Sequence, residues 1–166
     1  LESYLIDLLE SRSAMMGAKG SNGNSKKKLT ELRKTLTEMN VDGLILPRAD
    51  EHQGEYIPPG AERLAWLTGF DGSAGFAIIL QKTAAVFTDG RYTLQIHQQV
   101  DQNYFDVEHI VENPPIKWLE QKMVSGNRIG FDPWLHTADA IRQFEKLINQ
   151  KGGKLVPLNL NPIDEI

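Results

Sequence analysis

Four side chains able to hold a cation or move a proton fall within a six-residue stretch: Asp50, Glu51, His52 and Glu55. Carboxylates and an imidazole at that density could ligate a divalent metal. All four, however, lie on one loop, whereas a catalytic metal draws its ligands from several rigid elements. His97, His109 and His136 are scattered. The cluster is expected to be a hydrogen-bonding loop or an interface, and no metal site is expected within this chain.

Three other features invite chemistry. Gly69, Gly72 and Gly75 recur at every third position. A phosphate-binding loop runs from strand to helix, so that amides at the helix N-terminus face the anion. Here the order is helix, loop, strand, and a tight structural turn is the expected role. Ser73 sits in Asp-Gly-Ser-Ala-Gly, which has neither the spacing nor the strand-to-helix order of a nucleophile elbow. Arg91 follows Asp89, a good helix N-cap, and falls in the first turn. A cation there opposes the helix dipole by about 0.3–1 kcal/mol, so helix stability does not explain it. A carboxylate placed against it, from the protein or from a ligand, would make the position favourable. A salt bridge to Asp71 or Asp89, or a solvent-facing arginine, remains an equal alternative.

The elements that must position these residues follow from the apolar pattern. Leu29, Leu32, Leu36 and Met39 mark one face of a helix, ended near Asn40. Gly43 to Leu46 is a short buried strand, and a long loop from Pro47 to Gly60 leads to a mostly buried helix over Ala61 to Thr68, with Leu64, Ala65, Trp66 and Leu67. Phe76 to Leu80 and Ala84 to Phe87 form a hairpin. Neither of its strands alternates cleanly, which places it centrally in a sheet covered on both faces. A helix of about ten residues is expected after Gly90, lined by Tyr92, Leu94 and Val100. A half-open strand covers Phe105 to Val111, a helix starts near Pro114-Pro115, and a strand runs from Arg128 to Phe131. Thr137 caps a helix buried through Ile141, Phe144, Leu147 and Ile148, and Lys154 to Val156 is the last strand. The order predicts an α/β fold: a three-layer, mixed six-stranded sheet with helices on both faces and one antiparallel hairpin among crossover connections.

Residues 1–28 differ from the rest. Leu1 to Leu9 could form a short amphipathic helix, and Ser11 to Ser25 reads as a linker. This part is expected to be an extension, either variable or expression-derived, with residues 29–166 as the domain. Lys26, Lys27 and Lys28 read as a solvated helix start, since three lysines are too few for a stable membrane anchor. The end near Asn161-Pro162-Ile163 reads as an exit towards further sequence.

The totals exclude several function classes. Net charge is −4 over 166 residues, so no nucleic-acid partner is expected. With no cysteine there is no disulfide, thiolate zinc site or thiol nucleophile. No apolar stretch approaches the roughly 20 residues of a membrane span, and no signal-peptide pattern opens the chain. A cytoplasmic protein is the expectation.

Three motifs in order then carry a resemblance. Asp50-x-His52-Gln53-x-Glu55-Tyr56-Ile57, Gly69-Phe70-Asp71-Gly72-Ser73-Ala74-Gly75 and Thr88-Asp89-Gly90-Arg91-Tyr92 resemble the N-terminal, creatinase/prolidase-type domain of three-domain, cytosolic-type Xaa-Pro aminopeptidases (aminopeptidase P). The likeness covers about Leu29 to Ile166, including Gly130-x-Asp132-Pro133 and Pro157-x-x-x-Asn161. It implies a ribonuclease-H-like domain of a full-length enzyme that removes the N-terminal residue from peptides with proline second. It also implies that two Asp, one His and two Glu of a C-terminal domain hold a metal pair, usually manganese. That domain is not part of this sequence, so the chain alone is expected to be inactive and to carry no catalytic residue. The resemblance gives Arg91 the place of a peptide-binding arginine, makes Asp50 and His52 further substrate-binding candidates, and implies a homodimer at full length. A peptidase-like binding module that has lost catalysis is the alternative, distinguished by the absence of the five downstream ligands. A small-molecule hydrolase of the creatinase kind shares the fold but should lack this motif set.

Overall fold

The computed structural model describes residues 22–166. The helix expected over Leu1 to Leu9 and most of the linker reading lie outside them. Helix α1, Asn22–Glu38, begins before Leu29 and takes Asn24, Ser25 and the three lysines into its first turns. Leu29, Leu32 and Leu36 are buried along its inner face. Asn40 closes it in the left-handed region at φ 59°, and the Val41 amide reaches back to the Leu36 carbonyl at 2.9 Å.

Strand β1, Gly43–Pro47, is followed by a loop, a 3-10 turn at Pro59–Ala61 and helix α2, Arg63–Thr68. Strands β2, Phe76–Leu80, and β3, Ala84–Thr88, form the expected hairpin. A 3-10 turn, Gly90–Tyr92, leads into helix α3, Thr93–Gln99, and then strand β4, Asp106–His109. Helix α4, Pro115–Lys122, strand β5, Arg128–Phe131, helix α5, Ala138–Gln150, and strand β6, Lys154–Pro157, complete the fold. The sheet has six strands in the order β4-β3-β2-β1-β5-β6.

Alternation through the pleat divides the core into two layers. Leu44 and Leu46 of β1, Ala77 and Ile79 of β2, and Ala84 and Val86 of β3 face α1, α2 and α3. Ile45, Ile78, Ala85 and Phe87 face the other way, against Trp118 and Leu119 of α4 and Phe144, Leu147 and Ile148 of α5. The three central strands therefore lie between helical layers on both faces, as their unbroken apolar runs predict.

Three expectations need correction. The β2–β3 hairpin is not the sole antiparallel pairing: β2 is also antiparallel to β1, while the pairs β1–β5, β3–β4 and β5–β6 are parallel. The helix in the β1–β2 connection suggested a crossover. At six residues α2 rises only about 9 Å, against about 16 Å for a five-residue strand, and the chain returns at the edge it left. Leu94 does not line α3 but stands 73 % exposed; Ile96 is buried in its place, alongside the expected Val100. Trp66 of α2 is also exposed on one side, where the Lys28 ammonium covers its ring at 4.5 Å from the centroid.

Candidate functional site

Strand register collects the candidate residues on one edge of the sheet. Pro47 pairs with Phe76, Phe76 with Phe87, and Phe87 with Glu108. The end of β1, the start of β2 and the ends of β3 and β4 are thus side by side. Asp50 and His52 follow β1, the glycine-rich loop Gly69–Gly75 precedes β2, and Arg91 follows β3. In α/β sheets this carboxyl-end edge is where loops can form a ligand site on a rigid base.

Arg91 is held by the residue that caps its own turn. One carboxylate oxygen of Asp89 accepts from the Arg91 amide at 3.0 Å, capping the 3-10 turn. The same carboxylate takes the Nε of the guanidinium at 3.1 Å and its Nη2 at 2.7 Å. The guanidinium carbon lies over the Tyr92 ring, 5.3 Å from its centroid. Of the alternatives left by the sequence, the salt bridge forms with Asp89 and not with Asp71, and the arginine also faces solvent. These bonds, the side-chain one foremost, hold the Asp89 carboxyl below its usual range and push the Arg91 guanidinium up. The Arg91 side chain is 67 % exposed and that of Asp89 only 29 % exposed, so the cation faces outward and the carboxylate stands behind it.

A latch joins this turn to the glycine-rich loop. The Thr88 hydroxyl donates to the Ala74 carbonyl, and the hydroxyls of Ser73 and Tyr92 share a short hydrogen bond. That bond also draws the Tyr92 phenol below its ordinary value. The Asp71 carboxylate accepts from Gln95 at 2.7 Å and from Gln99 at 2.8 Å. A Cβ on Gly72 would strike the rings of Phe70 and Tyr92. Ser73 and the glycines thus serve structure, and Ser73 has no imidazole to activate it among its hydrogen-bond partners. Sequence reasoning missed Tyr92 as the latch; its place beside Arg91 in the motif was the available signal.

Asp50 is buried and inward-turned. Its Oδ1 accepts from the amides of Gly54 at 2.9 Å and His52 at 3.1 Å, which folds the loop back on itself. The Gly54 bond is the largest cause of a carboxyl held below its ordinary range, with burial opposing. His52 is exposed at the loop surface. At the root of the loop Arg48 pairs with Glu62 at 3.0 Å, and Arg63 pairs with Glu51 at 3.3 Å. Beyond Arg91, a groove opens between α3 and β4, lined by Thr88, Thr93, His97, Glu108, His109 and Glu112. His97 Nδ1 is engaged by the Thr93 carbonyl and His109 Nδ1 by the Val111 amide.

Among the described residues no three His, Cys, Asp or Glu side chains converge as metal ligands would. The resemblance assigns its metal pair to a C-terminal domain, and the described residues offer no set that fits it. No helix among them is long and apolar enough to cross a membrane.

Comparison with known proteins adds a family. The Creatinase/Prolidase N-terminal domain family matches residues 28–165. The human protein named Xaa-Pro aminopeptidase 2 is 37 % identical over 141 residues, which are 85 % of this chain and 21 % of that protein. A probable Xaa-Pro aminopeptidase P of Aspergillus fumigatus is 38 % identical over 143 residues, 85 % of this chain and 22 % of its own length. The chain spans about a fifth of the length of these curated relatives. Among solved structures, the X-prolyl aminopeptidase of Caenorhabditis elegans, a cytosolic enzyme with a di-nuclear active site, superposes with a TM-score of 0.78 at 29 % identity, covering 86 % of this chain and 25 % of that one. The N-terminal domain of the peptidase PepQ from Mycobacterium tuberculosis shares the fold at a TM-score of 0.63 and 19 % identity, covering 84 % of this chain and 97 % of that domain.

Proposed function

The chain belongs to the Creatinase/Prolidase N-terminal domain family, and from that premise we propose that it is the non-catalytic N-terminal domain of an Xaa-Pro aminopeptidase acting on peptides with proline second. Its own contribution is substrate contact, through Arg91. One observation carries this reading: an arginine in the 3-10 turn that leads into α3 is exposed at the loop-bearing edge of the sheet, with its guanidinium oriented from behind by Asp89. The likeness to Xaa-Pro aminopeptidases over 85 % of the chain supplies the substrate class.

Five N–H donors belong to an arginine. Nε and Nη2 are turned to Asp89, which leaves the Nη1 side for a peptide oxygen. Held at both its capping residue and its ring neighbour, the guanidinium loses little freedom on contact. Asp50 shapes the neighbouring loop and His52 lies at its surface, where a peptide passing Arg91 could meet it. The metal-dependent step belongs to residues outside those described, in keeping with the di-nuclear site of the Caenorhabditis elegans enzyme. A cytoplasmic location, a pair of manganese ions and a homodimer complete the proposal at full length. Metal analysis and sedimentation of the full-length protein check the last two; another metal or a monomer removes that part.

Arg91→Ala in the full-length enzyme is expected to lower kcat/KM on Xaa-Pro peptides by about tenfold to a hundredfold, the loss of one charge-assisted contact. Bound metal should be unchanged. The 166-residue chain alone should show no manganese-dependent cleavage. Equal turnover of variant and parent at every substrate concentration would take Arg91 out of the site.

A further inference from the structure

The way Arg91 is paired bears on what it can read. Asp89 takes the Nε/Nη2 edge of the guanidinium side-on, through both carboxylate oxygens, and the guanidinium carbon lies 5.3 Å from the Tyr92 ring centroid. The outward Nη1 side therefore presents N–H donors from a pair whose net charge is zero. A lone guanidinium favours an anion. A guanidinium backed by a carboxylate within hydrogen-bond distance keeps its donors but loses most of that preference, because a second carboxylate on the far side meets the field of the first.

We infer that Asp89 is a specificity-determining residue: it makes Arg91 a reader of a neutral peptide carbonyl rather than of a substrate's terminal carboxylate. This rests on the reading of Arg91 as a substrate contact. The site as built suits a peptide chain continuing past the proline as well as one ending near it. Asp89 stands behind the guanidinium and reaches no substrate atom. It acts through the charge and orientation of Arg91, and it is less exposed than the arginine it backs. The Arg91 side-chain hydrogen bonds hold its carboxyl below the usual carboxylate range.

The test uses the full-length enzyme with Ala-Pro and Ala-Pro-Ala, each as free acid and as C-terminal amide. The parent enzyme should show acid-to-amide ratios of kcat/KM that differ little with salt. Asp89→Asn keeps a capping side chain and leaves the Arg91 charge uncompensated. It should raise the acid-to-amide ratio by about threefold to tenfold, a gain that shrinks as salt screens the exposed cation. Arg91→Ala should lower kcat/KM for acid and amide alike. If Asp89→Asn leaves the ratio unchanged while Arg91→Ala still lowers both values, the carbonyl-reading role is wrong and the substrate contact stands. If Arg91→Ala changes neither, both fall. Should Asp89→Asn fold poorly, the parent enzyme still decides. A steep loss of acid cleavage with salt, absent for the amide, would show an unpaired cation reading a carboxylate and overturn the inference.

Discussion

Asp50 is the residue whose chemistry is spent on shape. Its carboxylate accepts two amides of its own loop, and that acceptance, led by Gly54, holds its carboxyl below the usual range. A depressed folded value means that ionised Asp50 stabilises the loop. The stabilisation is complete above the ordinary aspartate value of about 3.9 and is lost as pH falls through the lower folded one. Amide exchange at Gly54 and His52 should therefore accelerate in acid beyond its intrinsic rate, while the amides of β1 hold. Asp50→Asn, which keeps an acceptor oxygen, should remove the acid step, and Asp50→Ala should leave both amides fast at every pH. An acid step that survives in Asp50→Asn would assign the titration to another group. Arg91 contrasts with this: its donors on one edge are engaged and the rest of the group faces outward.

At the scale of elements, the turn before β2 sets the site's geometry. Gly69 closes α2 at φ 82°, and a Cβ there would lie 2.8 Å from the Gln99 carbonyl. Gly72 is packed between the rings of Phe70 and Tyr92, and Phe70 is wholly buried with no room to give. Gly72→Ala should cost about 1–3 kcal/mol of stability, the usual price of overpacking. Thermal unfolding reads that loss, and Tyr92 fluorescence should report displacement of the latch. A wild-type melting temperature would mean that the loop can move aside. Much of this was legible in the residues. The runs at Gly43–Leu46, Phe76–Leu80 and Ala84–Phe87 read as strands buried on both faces, because burial on both faces erases alternation. Asp89 read as a cap and Arg91 as an unexplained cation because the local helix dipole alone raises the question. The direction of β2 was not legible, since periodicity shows a helix in the connection but not whether it is long enough to cross the sheet. Nor was the Ser73–Tyr92 latch, whose partners meet only once β2 and β3 pair. Leu94 misled because a leucine near a helix start carries no facing information in so short a helix.

Across the whole molecule, the edge that bears the site is braced by the 3-10 turn Pro162–Glu165. Arg63 of α2 takes Asp164 of that turn with Nε at 2.8 Å and Nη2 at 2.9 Å, and reaches Glu51 of the Asp50 loop at 3.3 Å. Beside it, the Asn161 side-chain Nδ2 donates to Asp132 at 3.0 Å, and its Oδ1 caps the turn by accepting from the Ile163 amide at 3.0 Å. The other Asp132 oxygen caps the Pro133–Leu135 turn through Trp134. One polar side chain thus ties the loop after β5 to the chain after β6. Asp132 is 8 % exposed and Asn161 6 % exposed, so a broken bond between them is not replaced cheaply by water. Asn161→Ala should destabilise the domain by about 1–3 kcal/mol, the cost of leaving a buried oxygen without its donor. Amide exchange should rise at Ile163 and Trp134 first and leave Gly54 and His52 unchanged, because those amides depend on Asp50 and on the Arg63 bridge. Arg63→Ala should do the reverse, loosening the Asp50 loop and Asp164 together while the Trp134 amide keeps its protection. Equal exchange patterns in the two variants would mean that the edge opens as a single unit, and that the two braces do not act separately on the site and on the Pro162–Glu165 turn.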